Sequence, residues 1–225
     1  MISHKNTSLL IFLACLISLN LIHASNSLKL ANRPIDHSLY DTPIEDGFQP
    51  VAFRTSKDNT QRIDITGVFM KPCYLTKTNL ADSKIQSCGV ITGQDATVDV
   101  RFRVKGEKSI GNPHLKARAT LGSCNGRGCT FGSIMAGQGL NYDMGKYKEP
   151  CLPGVSEETR LKCPIRAKNE ESELRVKLSL PEKFVGITVP ETNVTTLMKL
   201  QGPRYRRATV AVEVDLETLW ADADL

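Results

Sequence analysis

The chain has 225 residues, with 29 lysines and arginines against 24 aspartates and glutamates, and a net charge of +5. A surplus this small gives no reason to expect nucleic acid as a partner, because proteins that bind nucleic acid concentrate many basic residues on one surface. The length allows one sizeable domain with short appendages, and we expect a single hydrophobic core.

The first residues have the pattern of an export signal. Lys5 precedes an almost wholly apolar run over residues 9–21, and the small residues Ala24 and Ser25 offer a cleavage site. An uncleaved signal anchor is the rival interpretation, but the run is shorter than the ~20 residues of a membrane span, which weakens it. We therefore expect a signal peptide over residues 1–25 and a secreted product.

Seven cysteines occur in the chain, and Cys15 lies in the signal. An even number of cysteines in an exported chain favours disulfides. Six cysteines allow 15 pairings, but their order falls into three close couples: Cys73 with Cys88, Cys124 with Cys129, and Cys151 with Cys163. Zinc is the competing use of clustered cysteines, but only His37 and His114 remain beyond the signal, and we expect no metal site.

Residues 26–52 carry Pro34, Pro43 and Pro50 among several acids and show no sustained apolar period. This composition predicts a loose N-terminal extension, with a pro-segment as the alternative. Residues 217–225 read as a short acidic tail. The division of the chain is therefore a signal peptide at 1–25, the extension at 26–52, one folded domain at 53–216 and the tail.

Strict alternation of apolar and polar residues begins at Ile63 and recurs along the domain. The clearest case places Val98, Val100, Phe102 and Val104 between Asp99, Arg101, Arg103 and Lys105. The same period appears in residues 115–121, 174–180 and 210–215, with glycine and proline turns between them. The pattern predicts an all-β antiparallel sandwich in which each strand has one apolar and one polar face.

An apolar interior is what a packed core needs and also what a lipid pocket needs, and periodicity does not separate the two. Two details favour open space: the small inward residues Ala117 and Ala119, and the apolar segments 131–140 and 184–189 that interrupt the strand pattern. A sandwich that stays open at one end provides the ~300 Å³ or more of a ligand cavity.

The order of motifs resembles the ML lipid-recognition family. Lys71-Pro72-Cys73, the Cys88-to-Gly93 segment and the strand after it match the family's opening, and Cys151-Leu152, Cys163-Pro164-Ile165 and Leu180-Pro181 follow in its order. The match spans roughly residues 60–215. The family includes the soluble lysosomal cholesterol carrier of Niemann-Pick disease type C, which is the nearest in pattern, and the group 2 mite allergens.

The resemblance implies an immunoglobulin-like sandwich with an apolar cavity between its sheets, which binds a sterol or acyl chain and hands it on without chemistry. It also implies a secreted or lysosomal location. The lipid-binding residues that we expect are Phe102, Val104, Ala119, Leu121, Phe131, Leu178, Phe184, Val185, Ile187, Val189 and Val212. The family's disulfide between its first and last strands has no cysteines here, near Phe53 and Thr209, and an extra loop lies between Cys124 and Cys129.

No enzymatic motif occurs: the chain lacks the nucleophile elbow, the zinc-protease helix and the phosphate-binding loop. We expect no catalytic residue, no cofactor besides a bound lipid, and a monomer whose partners are the lipid and a receiving membrane or membrane receptor. Asn193-Val194-Thr195 is a glycosylation sequon. The alternative function is an extracellular recognition module with a filled core, which binds a protein or anionic glycan through Arg101, Arg103, Lys105, Lys116 and Arg118.

Overall fold

A computed structural model describes residues 30, 35, 37–55, 63–74, 88–121, 140–141, 145–184, 187–188, 193–202 and 209–219. Within these ranges the chain is an antiparallel β-sandwich of the immunoglobulin-like kind, built from two main sheets. It contains one short helix, α1 (Val155–Thr159). No helix among the described residues is long and apolar enough to cross a membrane.

The first sheet is formed by four strands in the order β1-β3-β5-β8. Its strands are β1 (Gln49–Pro50), β3 (Ile63–Lys71), β5 (Asp95–Val104) and β8 (Glu171–Ser179). Every pairing is antiparallel. The alternation that predicted the strand around Val98 holds over all ten residues of β5, because each inward apolar side chain packs into the core.

The second sheet has the order β2-β12-β11-β6-β7, and β4 pairs parallel to the far half of β12. Its strands are β2 (Phe53–Thr55), β4 (Cys88–Ile91), β6 (His114–Leu121), β7 (Leu140–Asn141), β11 (Asn193–Gln201) and β12 (Thr209–Leu219). A separate hairpin joins β9 (Lys183–Phe184) to β10 (Ile187–Thr188).

Strand β11 was not expected, because Thr196 interrupts its apolar face. Thr196 is fully buried, and its hydroxyl donates a hydrogen bond to the Val214 carbonyl oxygen at 3.2 Å, which satisfies the polar atom inside the core. The sequon residue Asn193 therefore begins a strand, in register with Glu217, and does not lie in a loop. Likewise, β12 continues to Leu219, so the first residues of the expected tail belong to the sheet.

The sandwich has two ends. One end, which we call the Cys73 end, holds the last residues of β3, β8 and β12 and the first residues of β5 and β11. The opposite end, which we call the Phe102 end, holds the last residues of β5 and the first residues of β3, β6 and β8.

The Cys73–Cys88 disulfide joins the segment after β3 to the first residue of β4, with Cα atoms 5.0 Å apart. The Cys151–Cys163 disulfide joins the turn before α1 to the segment that leads into Ile165, with Cα atoms 5.7 Å apart. Both are pairings that the order of the cysteines predicted. Cys124 and Cys129 lie outside the described residues.

The extension is not loose in its described part. Residues 40–50, which we call the strap, run across the outer face of the first sheet and end in β1, where Gln49 and Pro50 pair with β3. Ile44 and Phe48 are buried with Phe69 in a second apolar cluster, separate from the core between the sheets. The apolar residues of the strap are widely spaced and give no periodic pattern in the sequence. They still hold the strap on the sheet, because Phe69 offers them an apolar partner on a largely charged face.

Candidate functional site

An apolar gap of about 190 Å³ lies between the two sheets at the Cys73 end. Its walls come from both sheets: Met70, Ala96, Leu178 and Leu180 on the first side, and Val90 and Leu216 on the other, with Gln94 at the rim. The gap is too narrow to admit a water molecule. A space of this kind stays dry, and its apolar walls would meet an occupant only after moving apart.

The turn between β4 and β5 closes the sandwich at this end. The Gly93 amide donates to the Leu180 carbonyl oxygen at 2.8 Å, and the Thr92 amide donates to the Leu219 carbonyl oxygen at 3.1 Å. The turn is therefore hydrogen-bonded to the last residues of both sheets. Gly93 has a φ of +81°, a conformation that L side chains rarely adopt, so the turn is specified by glycine.

Strand register places the attachment points of two long connections at the same end. Leu121, the last residue of β6, is opposite Val194, and Val194 is opposite Leu216 in the wall of the gap. Strand β6 therefore ends at the same end of the sandwich as the gap, and the β9–β10 hairpin begins three residues after Leu180.

Among the expected lipid-binding residues whose side chains the structure describes, Leu178 alone lines the gap. Phe102 and Val104 are fully buried at the opposite end of β5, about 20 Å and about 27 Å from Ala96 at the strand's usual rise per residue. Ala119 and Val212 are buried in the core, where they stand opposite Thr196 and Met198. These four residues fill the interior, and their assignment to the pocket has no support from the geometry of the gap.

The remaining expected pocket residues lie where side chains are not described. Phe131, Val185 and Val189 are outside the described residues, while Leu121, Phe184 and Ile187 are placed by their backbone alone, in β6, β9 and β10. Their contribution to a lipid site stays a prediction.

Most residues that line the gap were not predicted from the sequence. The alternation used to predict the β5 strand was read from Val98, but it extends one step earlier to Ala96, which is small and leaves space opposite Leu178. Met70 and Leu216 continue the same inward faces of β3 and β12. Extending each alternating pattern toward its cysteine-rich or proline-bounded end would have found these residues.

The outer face of the first sheet has the opposite character. Asp99 and Arg101 are fully buried beneath the strap, with Arg101 Nη2 3.0 Å from Asp99 Oδ2. Glu173 and Arg175 on β8 extend this pair into a network, with nitrogen–oxygen distances of 3.1 to 3.5 Å. A charged face predicted to meet solvent is therefore partly closed.

The strap contributes its own polar groups to this network. The Pro43 carbonyl oxygen accepts from Arg101 Nη2 at 3.3 Å, and Asp41 pairs with Arg103 at 3.0 Å. Glu45 Oε2 accepts from Arg160 at 2.8 Å and from Arg175 at 2.7 Å. The guanidinium of Arg175 also lies 4.7 Å from the centre of the Phe48 ring.

Gly67 gives the strap room to approach. It lies on the outer face in register with Arg101, and a Cβ there would stand 2.8 Å from the Phe69 ring and 3.0 Å from the Tyr40 ring. Tyr40 and Phe69 pack edge to face with centroids 5.1 Å apart. A larger residue at this position would push the strap away from the sheet.

Two carboxyl groups in the network have pKa values shifted in opposite directions from the ordinary value. The hydrogen bond and positive charge of Arg175, helped by Arg160, hold the pKa of Glu45 below its ordinary value. Burial, together with the negative charge of Asp99, raises the pKa of Glu173 despite the nearby arginines. The exposed strap carboxylate is thus stabilised in its charged form, whereas the buried one on β8 is not.

The five basic residues of the alternative function do not form one surface. Arg101, Arg103 and Lys105 belong to the first sheet or its end, whereas Lys116 and Arg118 belong to β6 on the second sheet. The outer faces of two stacked sheets point in opposite directions. Because Arg101 is also fully buried, the predicted basic face exists only in part.

Among the described residues, no group of three or more histidine, cysteine, aspartate or glutamate side chains is arranged to hold a metal ion.

No protein-family model matches the chain. No curated protein matches it in sequence. Membership of the ML family therefore stays a prediction from the order of the motifs.

Several solved structures share parts of the backbone arrangement. A Niemann-Pick type C2 protein from the Japanese carpenter ant is 14% identical, covers 75% of this chain and 99% of its own, and has a TM-score of 0.49. The C-terminal domain of wzt is 7% identical, with coverages of 84% and 88% and a TM-score of 0.35. The PmoD soluble domain from Methylocystis sp. ATCC 49242 is 8% identical, with coverages of 68% and 91% and a TM-score of 0.24. At these values none of them indicates what this chain binds.

Proposed function

We propose that the protein is a secreted, non-enzymatic lipid carrier that holds the apolar part of a lipid between its sheets at the Cys73 end. The observation that carries this proposal is the narrow gap, which within the described ranges has apolar walls from both sheets and Gln94 as the polar side chain at its rim. The order of cysteine and proline motifs in the sequence supports the same reading.

The size of the gap bears on the ligand. The gap does not admit even a water molecule, so any ligand must move its walls apart to reach the ~300 Å³ at which small-molecule pockets begin. A single acyl chain is the lipid part that requires the least movement of the walls, while the rigid rings of a sterol require the sheets to part further. The unbranched side chain of Met70 and the long side chain of Gln94 are the lining groups that adapt most readily.

Entry requires the closing turn to yield. The turn is fastened by the amides of Thr92 and Gly93, and each backbone hydrogen bond contributes only about 1 kcal/mol net. Burial of even 100 Å² of acyl chain contributes ~2.5 kcal/mol, which offsets the opening of both bonds. The opening of the turn is therefore not the main cost of uptake, which lies in moving the packed walls of the gap apart.

The test begins with native mass spectrometry and lipid extraction, on secreted full-length protein purified without detergent. We expect a bound mass identified as a fatty acid, an acyl lipid or a sterol. Titration with a fluorescent fatty acid and a fluorescent sterol then ranks the two ligand classes, and we expect the fatty acid to bind more tightly. A protein that is empty in the spectrometer and binds neither probe is not a carrier.

A matched pair of variants locates the site. Ala96→Leu adds three carbon atoms inside the gap, whereas Ala117→Leu adds them to the packed core of β6, outside the gap. We expect Ala96→Leu to weaken lipid binding at least tenfold and Ala117→Leu to leave it unchanged in the folded fraction. Ala117→Leu should cost more stability, about 1–3 kcal/mol, because it overpacks a filled region. Equal effects of the two variants on binding would place the ligand elsewhere.

A further inference from the structure

A row of polar residues crosses the outer face of the first sheet at the Cys73 end. Lys71 on β3 is directly opposite Thr97 on β5, and Thr97 is directly opposite Lys177 on β8. Directly paired residues share a face, and neighbouring strands lie about 4.8 Å apart, so the two lysine Cα atoms are roughly 10 Å apart with a hydroxyl between them.

The row forms the floor of an open groove of about 460 Å³. Glu45 and Phe48 of the strap form one wall, and Lys146, Tyr147 and Glu158 form the other. The groove begins where the strap leaves the middle of the sheet. It therefore borders the buried network through Glu45 and Arg175 and is open to solvent.

The charges that line the groove are unequal. Lys71, Lys146, Arg175 and Lys177 face Glu45 and Glu158, four cations against two carboxylates. Both carboxylates are already engaged, Glu45 with Arg160 and Arg175, and Glu158 with Lys146 in a close pair. The surplus of two positive charges is therefore carried by the lysines of the row.

These lysines keep hydrogen-bond donors for a ligand. Lys71 Nζ donates to the Asp46 carbonyl oxygen at 3.0 Å, which uses one of its three donors and no carboxylate. Lys177 is exposed and has no ion pair within the part of the chain that the structure describes. Lys71 and Lys177 therefore flank Thr97 in the strand register, and all three side chains line the same groove.

We propose that this row binds a tetrahedral oxyanion, a phosphate or sulfate group, with Lys71 and Lys177 on its flanks and Thr97 beneath it. Such a group presents several acceptor oxygens and matches donors that converge from two sides. The inference goes beyond the proposed function, because Met70, Ala96 and Leu178 place the gap on the opposite face of the same three strands. The group belongs either to a small soluble ligand or to a lipid headgroup.

The first experiment titrates full-length isotope-labelled protein with sodium phosphate and with sodium sulfate at constant ionic strength, followed by backbone amide shifts. We expect saturable shifts centred on Thr97 and Lys177. In the double variant Lys71→Gln/Lys177→Gln we expect affinity to fall at least tenfold. Shifts that do not saturate, or that spread over the surface, overturn the proposal.

A control double variant removes the same charge elsewhere. Lys116 and Lys168 are both exposed and line no part of the groove. Lys116→Gln/Lys168→Gln should leave phosphate binding unchanged. An equal loss in this control would show that only net charge matters, and it would also overturn the proposal.

Vesicles separate the two sources of the anion. We compare sedimentation with phosphatidylglycerol vesicles and with phosphatidylcholine vesicles for the wild type and both double variants. A loss of binding to phosphatidylglycerol only in Lys71→Gln/Lys177→Gln identifies a lipid headgroup, whereas saturable phosphate binding without such a loss identifies a small ligand. Lipid uptake measured with Ala96→Leu is independent of this row, so the two proposals fail separately.

Discussion

The two faces of strand β5 share the same ten residues and are covered in different ways. The inner face, from Ala96 to Val104, is apolar and packs against the second sheet, except where the gap remains at the Cys73 end. The outer face carries Thr97, Asp99, Arg101 and Arg103, and the strap covers its middle. The composition of a face thus indicates which contacts it makes, but it does not indicate whether solvent or another segment makes them.

The difference also lies in how each covering is stabilised. The inner contact gains from the hydrophobic effect in proportion to the area buried. The outer contact joins one small apolar cluster to a charge network, and burial of charges is costly unless each is paired. Removal of one partner should therefore be more damaging on the outer face than its modest area suggests.

The largest effect is expected for Arg101→Met, which leaves Asp99 buried with Arg175 as its one remaining basic partner among the described residues. We expect the free energy of unfolding to fall by about 3–5 kcal/mol, measured by urea denaturation. The exposed Arg54, which pairs with Glu213 and Asp215, is the control, and Arg54→Met should cost at most ~1 kcal/mol. The double variant Asp99→Leu/Arg101→Met should recover most of the loss. A loss no larger than that of Arg54→Met would mean that the strap does not seal the network from solvent.

The inner face is tested by a pair of leucines on β8. Leu174 and Leu178 are both buried on the same face, but only Leu178 lines the gap. Each change to alanine should cost about 2–5 kcal/mol in urea denaturation, as expected for a cavity in a core. Only Leu178→Ala should enlarge the gap and raise the affinity for a fluorescent sterol relative to a fluorescent fatty acid. A similar gain in Leu174→Ala would indicate that the whole interior, and not one end, accepts ligand.

The pH dependence of stability tests whether the strap buries Glu173 on the outer face. The pKa of Glu173 is raised above the ordinary 4.5, so the folded state favours the protonated carboxyl. The stability that this protonation contributes is fully present below pH 4.5 and is lost as the pH rises through the raised pKa. Glu173→Gln resembles the protonated form, so its free energy of unfolding should fall less than that of the wild type as pH increases from about 4 to 7. Parallel curves for the two proteins would show that Glu173 is not desolvated beneath the strap.

The smallest effect is expected for Glu45→Gln, because Glu45 is largely exposed. Its pKa is lowered, so its contribution is present above pH 4.5 and is lost as pH falls through the lowered pKa. The thermal midpoint of the variant should be slightly below that of the wild type at neutral pH, and the two should converge in acid. A difference that grows in acid would reverse the sign and remove Glu45 from the list of strap anchors.

Most of the sandwich could be predicted from local alternation. Strands β3, β5, β6, β8 and β12 follow from it, because a strand between solvent and a core must repeat every two residues. Strand β11 escaped prediction because buried Thr196 obtains its hydrogen bond from β12, a partner that only the register supplies. The candidate site was harder to predict than the fold. The alternating pattern marks both Phe102 and Leu178 as inward, but it does not indicate at which end of the sandwich the interior is fully packed.

The sequence by itself determined the class of fold and the inward residues, since these depend on period along the chain. It also predicted the pairs Cys73–Cys88 and Cys151–Cys163 from their spacing, and the structure chose them among the possible pairings. Tertiary structure alone decided the rest. The strap buries Arg101 because Asp99, Glu173 and Glu45 come together from three distant segments, and the gap persists where Ala96 is too small to fill the space between sheets. Both outcomes depend on contacts between residues far apart in sequence, which no local pattern encodes.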